Sequence, residues 1–156
     1  MPRRKGPKAW TGTGTEPVIW LAEEDAVDLG KARDWSVLFA GLEAALPGDC
    51  YLYLEASSMT PDVRAFVERQ AVEPLAHVAR GTIWPKPRVF HLLATRETLA
   101  ELARLSDVHA APEVCDHLVV YRDARVILAA HDYGFDHVYV SRSLPAEAID
   151  RLRSCL

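Results

Sequence analysis

Cysteine is scarce in this sequence, and the three that occur are far apart, at Cys50, Cys115 and Cys155. No CxxC pair is present, so the pattern excludes a dense disulfide framework. Long apolar runs are also lacking. None reaches the roughly 18 residues needed to cross a bilayer, and no apolar signal-peptide core follows the basic start. We therefore expect a cytoplasmic protein that does not enter a membrane.

Motifs that name a reaction are missing as well. The GTGT at residues 12–15 lacks the GxxxxGK[ST] pattern of a phosphate-binding loop, and no strand precedes it. HExxH and GxSxG do not occur. Cys115, a histidine and Asp132 would make a nucleophilic set only if the fold brought them together. A semi-buried free thiol is the simpler interpretation of Cys115.

Positive charge is concentrated at the start of the chain. The formal net charge is −4 over 156 residues, yet residues 1–17 hold Arg3, Arg4, Lys5 and Lys8 against Glu16. Pro, Gly and Thr dominate this stretch, which predicts a flexible basic arm. The remainder, residues 18–156, is acidic and has the length of one domain. An acidic body argues against general nucleic-acid binding.

Hydrophobic periodicity predicts a single α/β domain. Short apolar runs alternate with amphipathic stretches in the order β-α-β-α-β-α-β-β-β-α. Asp34 and Thr95 are placed to cap helices. We expect one mixed sheet of about six strands, in which strands joined through helices pair in parallel. The helices should lie mainly on one face of the sheet.

The final three strands are predicted to form an antiparallel meander. The runs cover residues 117–122, 126–131 and 137–142, with turns at 123–125 and 132–136. Because side chains alternate along a strand, each run has two faces. One face is apolar and predicts a core, and it collects Leu118, Val120, Val126, Leu128, Ala130, Val138 and Val140. The other is mixed and collects His117, Val119, Tyr121, Ile127, Ala129, His131, His137, Tyr139 and Ser141.

These turn lengths would align three histidines in a row across the meander. His117 would oppose His131, and His131 would oppose His137, with opposed Cβ atoms about 4.5–5.5 Å apart. Three imidazoles can bind Zn or another divalent transition metal and leave a fourth position for water. This pattern yields one hypothesis, a metal-dependent hydrolase, although the spacing matches no named zinc signature.

A second interpretation involves no catalysis. Tyrosine and histidine side chains collect on one face of the predicted sheet, and tyrosine is favoured at interfaces because it offers a large area at low entropic cost. Such a face would suit a partner protein or a second copy of the chain. Our principal expectation is therefore a binding or interaction module that uses Tyr51, Tyr53, Trp84, His91, Tyr121 and Tyr139.

The two hypotheses differ in a simple measurable property. A three-histidine metal centre predicts stoichiometric metal in elemental analysis of the purified protein, and heat on titration of the apo protein with Zn²⁺ at micromolar concentration. An interaction module predicts neither result.

Overall fold

The computed structural model describes residues 18–32, 34–82, 86–132 and 137–156. The predicted basic arm, Trp84 and most of the second meander turn lie outside these residues. The described part of the chain has the mixed α/β fold that the sequence predicts. None of its helices combines the length and the apolar character required to cross a membrane.

A six-stranded sheet forms the centre of the fold. Its spatial order is β2-β8-β7-β6-β3-β5, and every neighbouring pair is antiparallel. The strands are β2 (Ala26–Asp28), β3 (Tyr51–Ala56), β5 (Arg88–Leu93), β6 (His117–Arg122), β7 (Arg125–His131) and β8 (Val138–Ser141). Two further short strands, β1 (Val18–Ile19) and β4 (His77–Val78), pair in parallel as a separate small sheet. The strand count of the main sheet confirms the prediction.

The parallel pairing expected within the main sheet is wrong, and β4 explains why. After β3, helix α2 (Pro61–Gln70) returns the chain towards the start of β3, where Ala71 bridges to Leu92. The chain then makes an additional pass through β4 to Gly81, which bonds Glu55 near the end of β3. Strand β5 therefore starts beside the end of β3 and runs antiparallel to it.

The five α-helices of the described residues all pack on one face of the main sheet, as predicted. They are α1 (Trp35–Ala45), α2, α3 (Arg96–Ser106), α4 (Ala111–Val114) and α5 (Ala146–Cys155). Each places buried side chains in the same apolar cluster as Leu54, Leu118 and Leu128 of the sheet. Two predicted caps are confirmed: Asp34 accepts the Val37 N–H at 3.0 Å and Thr95 accepts the Thr98 N–H at 3.1 Å.

The meander is confirmed, with one local correction. His117 pairs with His131 as expected, but the first turn has two residues rather than three, since Arg122 pairs with Arg125. A β-bulge then shifts the register, so that Tyr121 opposes Val126 while Val120 opposes Leu128. Ile127 is the additional residue. It packs into the helix-side core, and Val126 moves to the tyrosine face, the reverse of the predicted assignment.

A thin second layer lies over the tyrosine face. Ile19 of β1 and Val78 of β4 join a separate apolar cluster with Tyr53, Val119, Tyr121, Val126 and Ala129 of the main sheet. The face of the sheet opposite the helices is thus partly covered. The space between this layer and the sheet contains the candidate site.

Candidate functional site

A cavity of about 300 Å³ separates the small sheet from the main sheet. Its apolar wall comes from both layers and includes Ile19, Leu21, Val78, Val119, Val126 and Ala129. Polar and aromatic groups complete the lining: Trp20, Glu23, Arg80, His117, His131, Asp132 and Tyr139. Trp20 is 52% exposed, so its indole contacts both the cavity and the solvent. An apolar space with a few polar groups is the usual form of a small-molecule site, and this volume is at the small end of the usual range.

Glu55 is the most deeply buried charged residue beside the cavity, with no exposed surface. Its Oε1 accepts hydrogen bonds from the Tyr53 hydroxyl at 2.6 Å and from the Gly81 N–H at 2.7 Å. Its Oε2 accepts the Thr82 N–H at 2.9 Å. Burial, followed by the adjacent Glu55 carboxylate, holds the pKa of Tyr53 far above its ordinary value, so the phenol remains a donor. The Glu55 carboxyl group is therefore hydrogen-bonded by three donors.

His117 lies beside this carboxylate and has a defined tautomer. Its Nδ1 accepts the backbone N–H of Asp132 at 3.0 Å, and its Nε2 is 2.8 Å from the Thr82 hydroxyl. Because Nδ1 is the acceptor, the proton of the neutral ring is on Nε2 and is donated to Thr82. A histidine that activated Thr82 as a nucleophile would need the opposite arrangement, with a free lone pair on Nε2. The geometry thus argues against a Thr82–His117 catalytic pair.

Gly81 packs directly on the His117 ring. A Cβ built at Gly81 would lie 2.9 Å from two atoms of the imidazole, a distance shorter than van der Waals contact. Since both ring nitrogens of His117 are hydrogen-bonded, the ring has little freedom to withdraw. Glycine is needed here because the backbone lies so close to the His117 ring. This contact helps to hold residues 79–82 against the sheet.

Asp132 holds its backbone in the left-handed region, with φ of 45°. This conformation is uncommon outside glycine, although aspartate tolerates it better than most residues. It aims the Asp132 N–H at His117. The neighbouring His131 ring lies 5.1 Å from the His117 ring, centroid to centroid. The turn at the end of β7 thereby brings two imidazoles and a carboxylate to one end of the cavity.

A buried histidine–tyrosine pair lies farther along the same face. His91 Nδ1 is 2.8 Å from the Tyr121 hydroxyl, which also accepts the Leu75 N–H at 3.2 Å. Burial, with a smaller contribution from the nearby His77, lowers the pKa of His91 to about 4. The ring is therefore neutral near pH 7, and Tyr121 can donate to it.

The predicted binding face is only partly accessible. Tyr53 and Tyr121 are 2% and 0% exposed, and His91 is buried beside them. Tyr51 and Tyr139 are partly exposed, and Trp84 is outside the described residues. A flat protein interface built on all of these side chains would need the second layer to move away.

The predicted histidine row is brought together only in part. His117 and His131 are neighbours, but His137 Nδ1 is bonded to the Asp28 carboxylate at 2.8 Å. Within the described ranges, no group of three or more His, Cys, Asp or Glu side chains is arranged to hold a metal ion. The metal hypothesis gains no support from this geometry. Cys115 is buried, and burial raises its pKa well above the ordinary value, which disfavours a nucleophilic thiolate.

Sequence reasoning missed Glu55, Gly81 and Thr82. One signal for Glu55 was present, since it is a charged residue at the end of an otherwise apolar strand. Gly81 and Thr82 gave no comparable signal, because their partners are distant in sequence. No protein-family model, curated protein sequence or solved structure matches this chain. The interpretation of the site therefore depends on its own geometry.

The cavity can be tested with matched substitutions on opposite faces of one strand. Ala129 lines the cavity, whereas the adjacent Ala130 is 1% exposed in the core under the helices. We expect Ala129→Leu to stay close to wild type in unfolding free energy, because the added carbons enter existing space. Ala130→Leu should lose about 1–3 kcal/mol through overpacking. Urea denaturation of both variants measures the difference, and equal losses would contradict an open cavity at Ala129.

The low pKa of His91 predicts an acid-sensitive contribution to stability. An unfolded histidine binds a proton near pH 6.5, but folded His91 does so only near pH 4. Its contribution is thus complete above about pH 6.5 and falls as the pH drops towards about 4, by up to roughly 3 kcal/mol. Urea midpoints should converge for wild type and His91→Gln over this range. A constant gap between the two would show that His91 is not the group responsible.

Proposed function

We propose that this protein is a binding domain whose ligand is a small, mainly apolar molecule with a polar end. The proposal depends above all on one observation, the cavity of about 300 Å³ between the two layers. Its apolar wall would hold the body of the ligand. The polar end would lie near His131, Asp132 and Arg80, which also line the space.

The chemistry of these groups favours binding over catalysis. The His117 imidazole donates through Nε2 and accepts through Nδ1, so its two polar atoms are already used. Glu55 is likewise occupied by three donors. Side chains held in this way shape a pocket, whereas a general base needs an available lone pair.

A small molecule suits the site better than a flat protein partner. The central tyrosines of the face, Tyr53 and Tyr121, lie under the second layer. A protein interface usually needs about 800 Å² on each partner, and buried rings do not add to that area. A molecule enclosed between the layers would contact the apolar wall without displacing them.

The test is a screen for ligand-induced stabilisation. Indole, phenol, benzoate, benzylamine and 1-hexanol each combine an apolar body with one polar end. We expect at least one to raise the melting temperature at millimolar concentration, because a ligand that binds only the folded state stabilises it. Amide NMR shifts should then cluster at residues around Ala129 and Val119, and the pattern among probes would identify the preferred polar end.

Ala129→Leu is the control for this screen. It fills part of the cavity while every polar group of the lining remains, so it should abolish or strongly weaken the binding of a probe. Val108→Ala is a matched change at an exposed apolar residue, 71% exposed and absent from the cavity lining, and should leave binding unchanged. Probe binding that persists in Ala129→Leu, or the absence of binding by all five probes, would count against the proposal.

A further inference from the structure

We infer that the ligand is an elongated acid whose anionic group, a carboxylate or a phosphate, is bound by Arg125 and Arg142 beside the cavity. The inference rests on the proposed function and adds the chemical class of the ligand. It depends on a second cavity that adjoins the first, and on the charges that line this second cavity.

The second cavity, of about 480 Å³, is open to solvent and lies side by side with the first. The two cavities share four wall residues, which are Ile19, Trp20, Leu21 and Val126. The polar side chains that line only the second cavity are Asp25, Arg125, Ser141, Arg142 and Ser143. A ligand that lies in the first cavity and extends past the shared wall would therefore meet charged and hydroxyl groups.

The two arginines reach the second cavity from neighbouring strands. Arg125 is the first residue of β7, and Arg142 directly follows β8, which pairs with β7. The Nε–H of Arg142 donates to the Glu24 carbonyl at 3.2 Å, which positions its guanidinium. Within the described ranges, neither guanidinium forms an ion pair with a carboxylate. Their planar donors match the oxygens of a carboxylate or a phosphate.

The balance of charge in the second cavity favours an anion. Asp25 is the carboxylate among the lining residues named above, and it stands against the two arginines. The Ser141 hydroxyl oxygen accepts the Ser143 N–H at 3.1 Å and lies 2.7 Å from the Ser143 hydroxyl oxygen. Only one of the two hydroxyl protons is used between these serines, so the other can be donated to an anionic ligand.

The spacing of residues along β7 determines the shape of the ligand. Successive residues of a strand are about 3.3 Å apart, so Arg125 and Ala129 are separated by roughly 13 Å. An acid bound at Arg125 needs an extended apolar body to occupy the space at Ala129. A small acid without that body would gain only a solvent-exposed ionic contact, which contributes little to affinity.

Calorimetric titration of the full chain at low ionic strength tests the class of ligand. Octanoate, 1-octanol and octylamine have the same apolar chain and differ in the end group. We expect octanoate to bind about tenfold more tightly than 1-octanol, because it adds charged hydrogen bonds to two arginines. Octylamine should bind no more tightly than 1-octanol, and acetate should bind far more weakly than octanoate. Comparison of octyl phosphate with octanoate identifies the preferred acid.

Substitutions separate the role of the arginines from that of the first cavity. Arg125→Gln and Arg142→Gln should each weaken octanoate binding by about threefold and leave 1-octanol binding unchanged. Asp25→Asn should strengthen octanoate binding and weaken octylamine binding, since it removes the opposing charge. Arg153→Gln is the matched control. It changes an exposed arginine of α5, on the helix side of the sheet, and should affect none of the probes.

The possible failures are distinguishable from failure of the proposed function. Octanoate that binds no more tightly than 1-octanol, or equally well to wild type and both Gln variants, would contradict the acid while the binding of 1-octanol upheld the cavity. Loss of binding by all of these probes would overturn both proposals. Amide NMR shifts at Ser143 and Ala129 together would support one ligand across the two cavities. Shifts at Ser143 without Ala129 would show a separate surface anion site and overturn the inference.

Discussion

The position of the second layer depends on the need to satisfy one buried carboxylate. Transfer of an ionised carboxylate out of water costs several kcal/mol unless hydrogen bonds replace the lost hydration. Glu55 has no exposed surface, and among the described residues of the main sheet the Tyr53 hydroxyl is hydrogen-bonded to it. The two remaining donors are backbone N–H groups of Gly81 and Thr82. Residues 77–82 must therefore lie across the sheet at this point, and the cavity is the space left between their layer and the sheet.

The same contacts determine what the histidines can do. His117 is held between Thr82, the Asp132 amide and the Cα of Gly81, which fixes both its orientation and its tautomer. His91 is held neutral by burial and bonded to Tyr121. Neither ring has the arrangement of a general base with a free lone pair directed at a substrate. The histidines of this face are thus held in a network of hydrogen bonds.

Local patterns predicted much of the fold, and long-range contacts account for what they missed. Apolar periodicity and the capping residue Asp34 predicted the helix at Trp35–Ala45, and alternation predicted the strand from His117 to Arg122. Two features had no local signal. The bulge at Ile127 depends on strand pairing. The short strand at His77–Val78 can be recognised only from its pairing with β1. The site was only partly predictable for the same reason: the histidines were visible, but their partners at residues 81, 82 and 55 are distant in sequence.

The contrast between the two faces of the sheet explains how one domain can combine a well-packed core with a cavity. On the helix face, five helices enclose a large apolar cluster that includes Trp35, whose indole N–H bonds two carbonyls near α4. That face can supply most of the free energy of folding, because apolar burial is the dominant favourable term. The opposite face carries a thinner layer, which contacts the sheet at Glu55 and His117 and through the apolar cluster that includes Ile19 and Val78. Because the main core lies under the helices, the opposite face can contain a cavity without loss of packing in that core.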